Sequence, residues 1–215
     1  MGNLNKATTN YLKSINLGSP YVKFYKNLLN IYKDKKDYKG QEFVLLHLQK
    51  NLPQEYRKAT KSLAYVYLNS KQFEKLLPIC EKLIAWYPKK YKYVYFKAIA
   101  YHQMQQIDKA ITTYREVIAL NPNDLNSNKN LGLLLFINGN KKFDKAVENY
   151  EAIKKPTDAD YKKCKQKLAV ARKEMLAAEP YLLKAYNSKK SDKLKKTLHT
   201  LYIKCNQRDK AKQYK

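Results

Sequence analysis

Glycine and proline are scarce in this chain, 5 and 7 among 215 residues. With so few turn formers and so much Lys, Leu, Ala and Gln, the composition favours helix. Val and Ile are too dispersed to suggest a sheet. Cysteine is also rare. Cys80, Cys164 and Cys205 are odd in number, far apart and without a CxxC pair, which argues against a disulfide framework and against a zinc site. No run of about 18 apolar residues exists that would span a membrane. The opening MGNLNKATTN lacks the apolar core of a signal peptide. Gly2 invites an N-acylation reading, but Lys6 stands where that motif needs Ser or Thr. Met1–Gly2 can also stand in place of a leader removed before it, so the compartment stays open.

Chemistry-bearing patterns are equally thin. None of His47, His102 and His199 has a Cys, Asp or Glu at the spacing of a catalytic triad or a metal box. There is no Gly-rich phosphate loop. Glu148 and Glu151 lie among lysines and read as a solvated face. The chain is therefore expected to be neither an enzyme nor a carrier of a cofactor or metal. Acidic residues are outnumbered, 18 against 44 Lys+Arg, which leaves a formal charge of +26. Such a charge favours acidic or polyanionic partners. The chain is also rich in Lys, Asn and Tyr together, the mix expected of an AT-rich genome, and solvated helix faces absorb lysine easily. That compositional account is the preferred one.

The chain does have a hydrophobic fraction of 44%, enough to exclude wholesale disorder, and a strong internal period. In Tyr91–Asp124, Ala98 and Tyr101 mark one helix, Gln105–Gln106 a break, and Ala110, Tyr114 and Val117 the apolar face of a second helix. Asn121–Pro122 ends it. Tyr32, Tyr67 and Tyr101 are 35 and 34 residues apart, and so are Pro53, Pro88 and Pro122. Two markers that keep the same spacing define a repeat of two helices, an αα-hairpin.

These residues resemble the tetratricopeptide repeat (TPR), a unit of about 34 residues with apolar or aromatic residues at fixed offsets and a Pro near its end. The resemblance implies an all-α, right-handed TPR superhelix, an α-solenoid of antiparallel helix pairs. The expected division is an N-terminal capping helix (1–19), regular repeats at 22–56, 57–90 and 91–124, a repeat with an elongated helical hairpin (125–191), and a C-terminal partial repeat (192–215). Cys80 falls on a core position. The fourth repeat departs from the pattern. One reading turns the chain at Asn138–Gly139–Asn140. The preferred one carries the first helix through Gly139, at a cost of about 1 kcal/mol, to about Lys155. It turns at Pro156–Thr157–Asp158 and makes AAEPYLLKAYNS the second helix of the repeat. Ala178 then takes the small crossing position, and Pro180 matches Pro78.

The resemblance also implies a concave groove lined by first-helix side chains. Carried over by repeat position, these are Lys26, Asn27 and Asn30 in the first repeat and Lys61 and Tyr65 in the second. Lys92, Tyr95 and Phe96 follow in the third, and Lys129 and Asn130 in the fourth. Lys33, Lys58 and Ser62 fall on neighbouring groove positions. Lys and Asn suit a carboxylate or a peptide backbone, and Tyr65, Tyr95 and Phe96 suit an apolar side chain. The aromatic trio reads equally well as packing within the chain. The carboxylate clamp of some TPR domains is met by Lys26, Asn30 and Lys92, but Ser62 and Phe96 replace an Asn and an Arg. The expected function is a protein–protein interaction scaffold for a peptide or partner protein, acidic partners included. RNA or another polyanion is the alternative, weakened by there being few and scattered arginines (Arg57, Arg115, Arg172, Arg208). The oligomeric state is not readable.

Overall fold

The computed structural model describes the backbone of residues 2–215 and the side chains from Lys6 onward. Met1, the first residue of the expected cap, and the surroundings of Gly2, on which the acylation reading falls, lie outside the described residues. The described residues form helices and no strand. They divide into two compact units, Met1–Gln106 and Ile107–Lys215. The first holds α1 (Gly2–Asn16), α2 (Val22–Asp34), α3 (Tyr38–Asn51), α4 (Tyr56–Asn69), α5 (Phe73–Trp86) and α6 (Tyr91–Gln103). The second holds α7 (Ile107–Leu120), α8 (Leu125–Glu151), α9 (Asp158–Leu176), α10 (Glu179–Ser188), α11 (Asp192–Lys204) and α12 (Arg208–Lys212). The third repeat as drawn from the sequence is thus shared, with α6 in one unit and α7 in the other.

In the first unit each helix packs on the next along the chain, with α1 also meeting α3 and α4 meeting α6. This neighbour-on-neighbour order is that of an all-α solenoid. Its core is the apolar stripe of each helix. Tyr25, Leu28, Leu63, Ala64, Leu76, Cys80 and Leu83 are fully buried, each large one contributing about 1.5–3 kcal/mol of burial. The helix ends are closed locally. The Asp37 carboxylate accepts the Gly40 N–H at 2.9 Å and so caps α3.

The turns between paired helices share one geometry. Lys36, Lys71 and Gln105 in the first unit, and Asn206 in the second, have φ of 53°, 58°, 59° and 60°. The residue after each donates its N–H back to a tyrosine carbonyl: Asp37 to Tyr32, Gln72 to Tyr67, Gln106 to Tyr101 and Gln207 to Tyr202, at 2.8–2.9 Å. This is the Schellman closure, which satisfies the last carbonyls of a helix. The recurring tyrosine of the sequence therefore stands four residues before a left-handed residue every time.

In the second unit the equivalent position, 34 residues after Gln105, is Gly139, and there is no turn. α8 runs unbroken through it. Gly139 is buried against α9. A Cβ at this position would lie 2.7 Å from Met175 Cγ, 2.8 Å from the Met175 backbone nitrogen and 3.0 Å from the Ala171 carbonyl oxygen. The glycine serves close helix approach, not a turn. α8 stops at Glu151, earlier than about Lys155. α9 then starts on a capping box, in which the Asp160 N–H donates to Thr157 Oγ1 at 3.3 Å and the Thr157 N–H to Asp160 Oδ2 at 3.1 Å.

The register of α10 corrects the sequence reading. The side chain that meets Gly132 of α8 is Leu182, whose Cγ would lie 2.8 Å from an added Cβ, and not Ala178, one turn earlier. Ala178 is buried at the junction before α10. Pro180 lies in the first turn of α10, where its missing N–H costs nothing, whereas Pro78 lies inside α5. The two prolines are not equivalent. α11 is tied to the hairpin by Arg172, whose Nε donates to the Lys204 carbonyl at 2.8 Å, and by a Lys204–Asp144 ion pair. Among the described residues no helix is long and apolar enough to cross a membrane.

Candidate functional site

The first unit carries a groove walled by α2, α3 and α4. One part, of about 350 Å³, has Leu29, Leu45 and Val66 as apolar floor and Lys33, Lys36 and Tyr65 at its edge. A second part, of about 270 Å³, shares Leu29, Lys33, Leu45 and Ser62 with it and adds Lys26, Asn30 and Lys58. The amphipathic spacing of α2 makes this possible. Leu28 turns fully into the core, while Lys26 and Asn30, two residues to either side, stand exposed. Lys58 is held by Glu55 at 3.0 Å, the acid among these lining residues, so the rim keeps a positive excess.

A lysine–tyrosine cluster lies beside the groove on α4 and α6. Tyr65 is 40% exposed and meets Phe96 edge-on at 5.2 Å between ring centres. The Lys92 Nζ stands 5.0 Å from the Tyr65 ring centre, and Lys61 Nζ 4.3 Å from that of Tyr87. A hydrogen bond with Tyr65 raises the Lys92 pKa above the ordinary lysine value, so the ammonium is the form that this neighbourhood holds. Burial raises the Tyr93 pKa, and the positive charges of Lys61 and Lys92 both oppose that rise. The cluster can grip an anion at its rim and an apolar group on the Tyr65 ring.

Of the residues expected in the groove, the structure brings Lys26, Asn30 and Tyr65 to its walls, with Lys92 against Tyr65 and Lys61 in the adjoining cluster. Tyr95 is half-buried against the core. Phe96 is corrected. It is 3% exposed and packs between Tyr65 and Tyr93, because a ring without a polar handle gains most from full burial. It supports Tyr65 from behind and offers no surface to a partner. Asn27 is engaged within the chain, its Nδ2 donating to the Tyr11 hydroxyl at 3.0 Å. In the second unit Asn130 makes the same bond to Tyr114 at 3.1 Å, also across 16 residues, and Lys129 is exposed.

The sequence model for "TPR repeat" matches residues 99–139, and no curated protein matches the chain. Among solved structures, a protein from Bacteroides ovatus superposes with a TM-score of 0.63 at 16% identity, covering 84% of this chain and 97% of its own. MamA superposes at 0.61 and 15% identity, over 87% and 90% of the two chains. YrrB, a TPR protein with an unusual peptide-binding site, does so at 0.50 and 17% identity, over 88% and 85%. Residues 99–139 thus carry the repeat's sequence, and the chain shares the fold of a tetratricopeptide-repeat protein.

The groove residues that repeat positions on the first helices did not identify come mainly from the packing of α3. Leu45 and Gln41 belong to α3, and the Gln41 amide donates to the Tyr32 carbonyl at 3.3 Å. Lys36, at the left-handed turn, and Asn69, at the end of α4, also line the groove. The sequence reading did not reach Lys36, whose place follows from its left-handed backbone, with φ of 53°. Among the described residues no group of three or more His, Cys, Asp or Glu is placed to hold a metal ion. His102 is half-buried, and burial lowers its pKa. Cys80, fully buried, has its thiol pushed up to about 12 by loss of solvation.

Proposed function

We propose that the chain is a non-catalytic scaffold whose first unit binds a peptide segment of a partner protein in the α2–α4 groove. The observation that carries this reading is the groove itself, a cleft of about 350 Å³ with an apolar floor under a lysine edge and with the half-exposed Tyr65 ring, overlaid by Lys92, at one end. Such a site matches an apolar side chain flanked by carboxylates, the aromatic supplying contact area and the lysines long-range attraction. The likeness in fold to YrrB, described as having a peptide-binding site, supports the same reading. Lys26, Asn30, Lys33, Lys61, Tyr65 and Lys92 are the proposed contact residues. Asn27, Asn130, Tyr95 and Phe96 are proposed to maintain the fold, and Lys129 is left as a surface charge.

Selection of peptides from a random displayed library on the full chain tests it. Acidic peptides carrying an apolar residue should be enriched, and their affinity should fall about tenfold or more in Tyr65→Ala and in Lys33→Glu. Enrichment that both variants leave unchanged overturns the proposal. So does tight binding of single-stranded RNA with a steep salt dependence in place of peptide binding.

A further inference from the structure

The α8–α9 hairpin carries a second groove, separate from the one above. Its main part, of about 390 Å³, lies between Lys142, Lys145, Ala146 and Asn149 of α8 and Lys167 and Val170 of α9. A continuation of about 170 Å³ shares Ala146, Asn149 and Lys167 and runs on to Tyr150 and Ile153. The floor is made of small side chains, Ala146 and Ala171, 4% and 0% exposed. Val170 stands at the edge, 57% exposed. The rim is cationic. Lys142 is held by Glu174 at 2.6 Å, whereas among the described residues Lys145 and Lys167 have no carboxylate within ion-pair distance. The carboxylate at the far end, Asp160, is taken up by Thr157.

We infer that this groove docks an acidic amphipathic helix of a partner protein. The walls are two antiparallel helices, and the furrow between such helices accepts the side-chain ridge of a third. Small floor residues let that helix approach closely. From Lys142 to the end of α8 at Glu151 the helical wall is about 14 Å long at 1.5 Å per residue, two and a half turns of helix. An apolar face spaced i, i+3/i+4, i+7 would lie on Ala146 and Val170, and carboxylates on its flanks would meet Lys145 and Lys167. Extended peptides find no strand edge here. Nucleic acid is a poorer match because the rim has no arginine. Arg172, the arginine of α9, is occupied by the Lys204 carbonyl and the Phe143 ring.

The test uses the full chain and a fluorescently labelled peptide with leucines at helical spacing and glutamates on both flanks. A scrambled peptide of the same composition and a single-stranded RNA are the comparators, and binding is followed by anisotropy. The amphipathic peptide should bind, with the scrambled one at least about tenfold weaker. Val170→Asp and the double variant Lys145→Glu/Lys167→Glu, both at exposed sites and checked for native helix content by circular dichroism, should each weaken it about tenfold. The measurement is repeated in a Tyr65→Ala background, which disables the first groove; binding there should persist and keep the same sensitivity to the hairpin variants. The inference fails if the peptide does not bind, if the scrambled peptide binds equally, if RNA binds in preference, or if both hairpin variants bind as the parent does. Loss of binding in Tyr65→Ala would assign the peptide to the first groove, supporting the scaffold proposal while overturning this one.

Discussion

Tyr65 and Phe96 show how two neighbouring aromatic side chains can have opposite duties. Phe96→Ala should lower stability by about 3–5 kcal/mol, as for a buried ring, while Tyr65→Ala should cost about 1 kcal/mol; urea unfolding of the two variants measures the difference. Cys80 gives a second residue-scale expectation. Its thiol is buried and held protonated, with a pKa of about 12, so it should stay unmodified by a thiol reagent at neutral pH until the chain unfolds, while the less buried Cys164 and Cys205 react first. Peptide mapping after timed labelling reads this out. His102 titrates nearer neutrality. Burial lowers its pKa from 6.5, so the folded state binds the proton less well than the unfolded one. Its stabilising contribution is complete above pH 6.5 and is lost as pH falls through the folded pKa. The melting temperature should therefore drop on acidification from pH 7 to pH 5, and the drop should be smaller in His102→Gln.

At the scale of elements, the turns and the hairpin contact pull in different directions. Lys71 holds a left-handed conformation that costs an L-residue about 1 kcal/mol or more. Lys71→Gly should raise stability by about 1 kcal/mol, since glycine is the residue that this closure favours. Gly139→Ala should do the reverse although alanine is the better helix former. Propensity gains about 1 kcal/mol, but overpacking against a neighbouring helix costs about 1–3 kcal/mol, and the Met175 backbone nitrogen at 2.8 Å cannot swing aside as a side chain can. A net loss in thermal denaturation is the expected outcome. The helix pairs were legible in the sequence because burial is periodic. Ala98, Ala110, Tyr114 and Val117 fall where the repeat places them, and all are fully buried. The register of α10 was not legible, since an insertion has no period and only the Gly132–Leu182 contact places it. The groove was legible on its first-helix side alone. Leu45 and Gln41 enter it through the packing of α3, and no count along α2 or α4 contains that information. Asn27 and Asn130 each hold an internal bond that the sequence does not signal. A polar side chain on a groove position looks the same in sequence whether it faces a partner or a tyrosine 16 residues earlier.

For the whole molecule, a formal charge of +26 over 215 residues means that like charges repel in the folded chain more than in any expanded state. Moderate salt should raise the melting temperature by screening that repulsion, and the same salt should weaken peptide binding at a lysine rim; scanning calorimetry and anisotropy across one salt series follow both. The straight passage of α8 through Gly139 carries a further implication, about how the chain can be edited. In the regular pairs the second helix begins two residues after the left-handed one, as with Lys36 before Tyr38 and Gln105 before Ile107. Excising residues 140–177 joins Gly139 to Ala178 and puts the start of α10, Glu179, at that same distance. The shortened protein has a glycine ready for the left-handed turn and Leu182 near enough in sequence to reach Gly132. It should express as a folded, regular repeat, less stable for want of the Arg172 and Asp144 ties to Lys204. On this view the hairpin is a cassette spliced into a repeat that still keeps its original hinge residue, and it can be lifted out, or transplanted, at the seam that Gly139 marks.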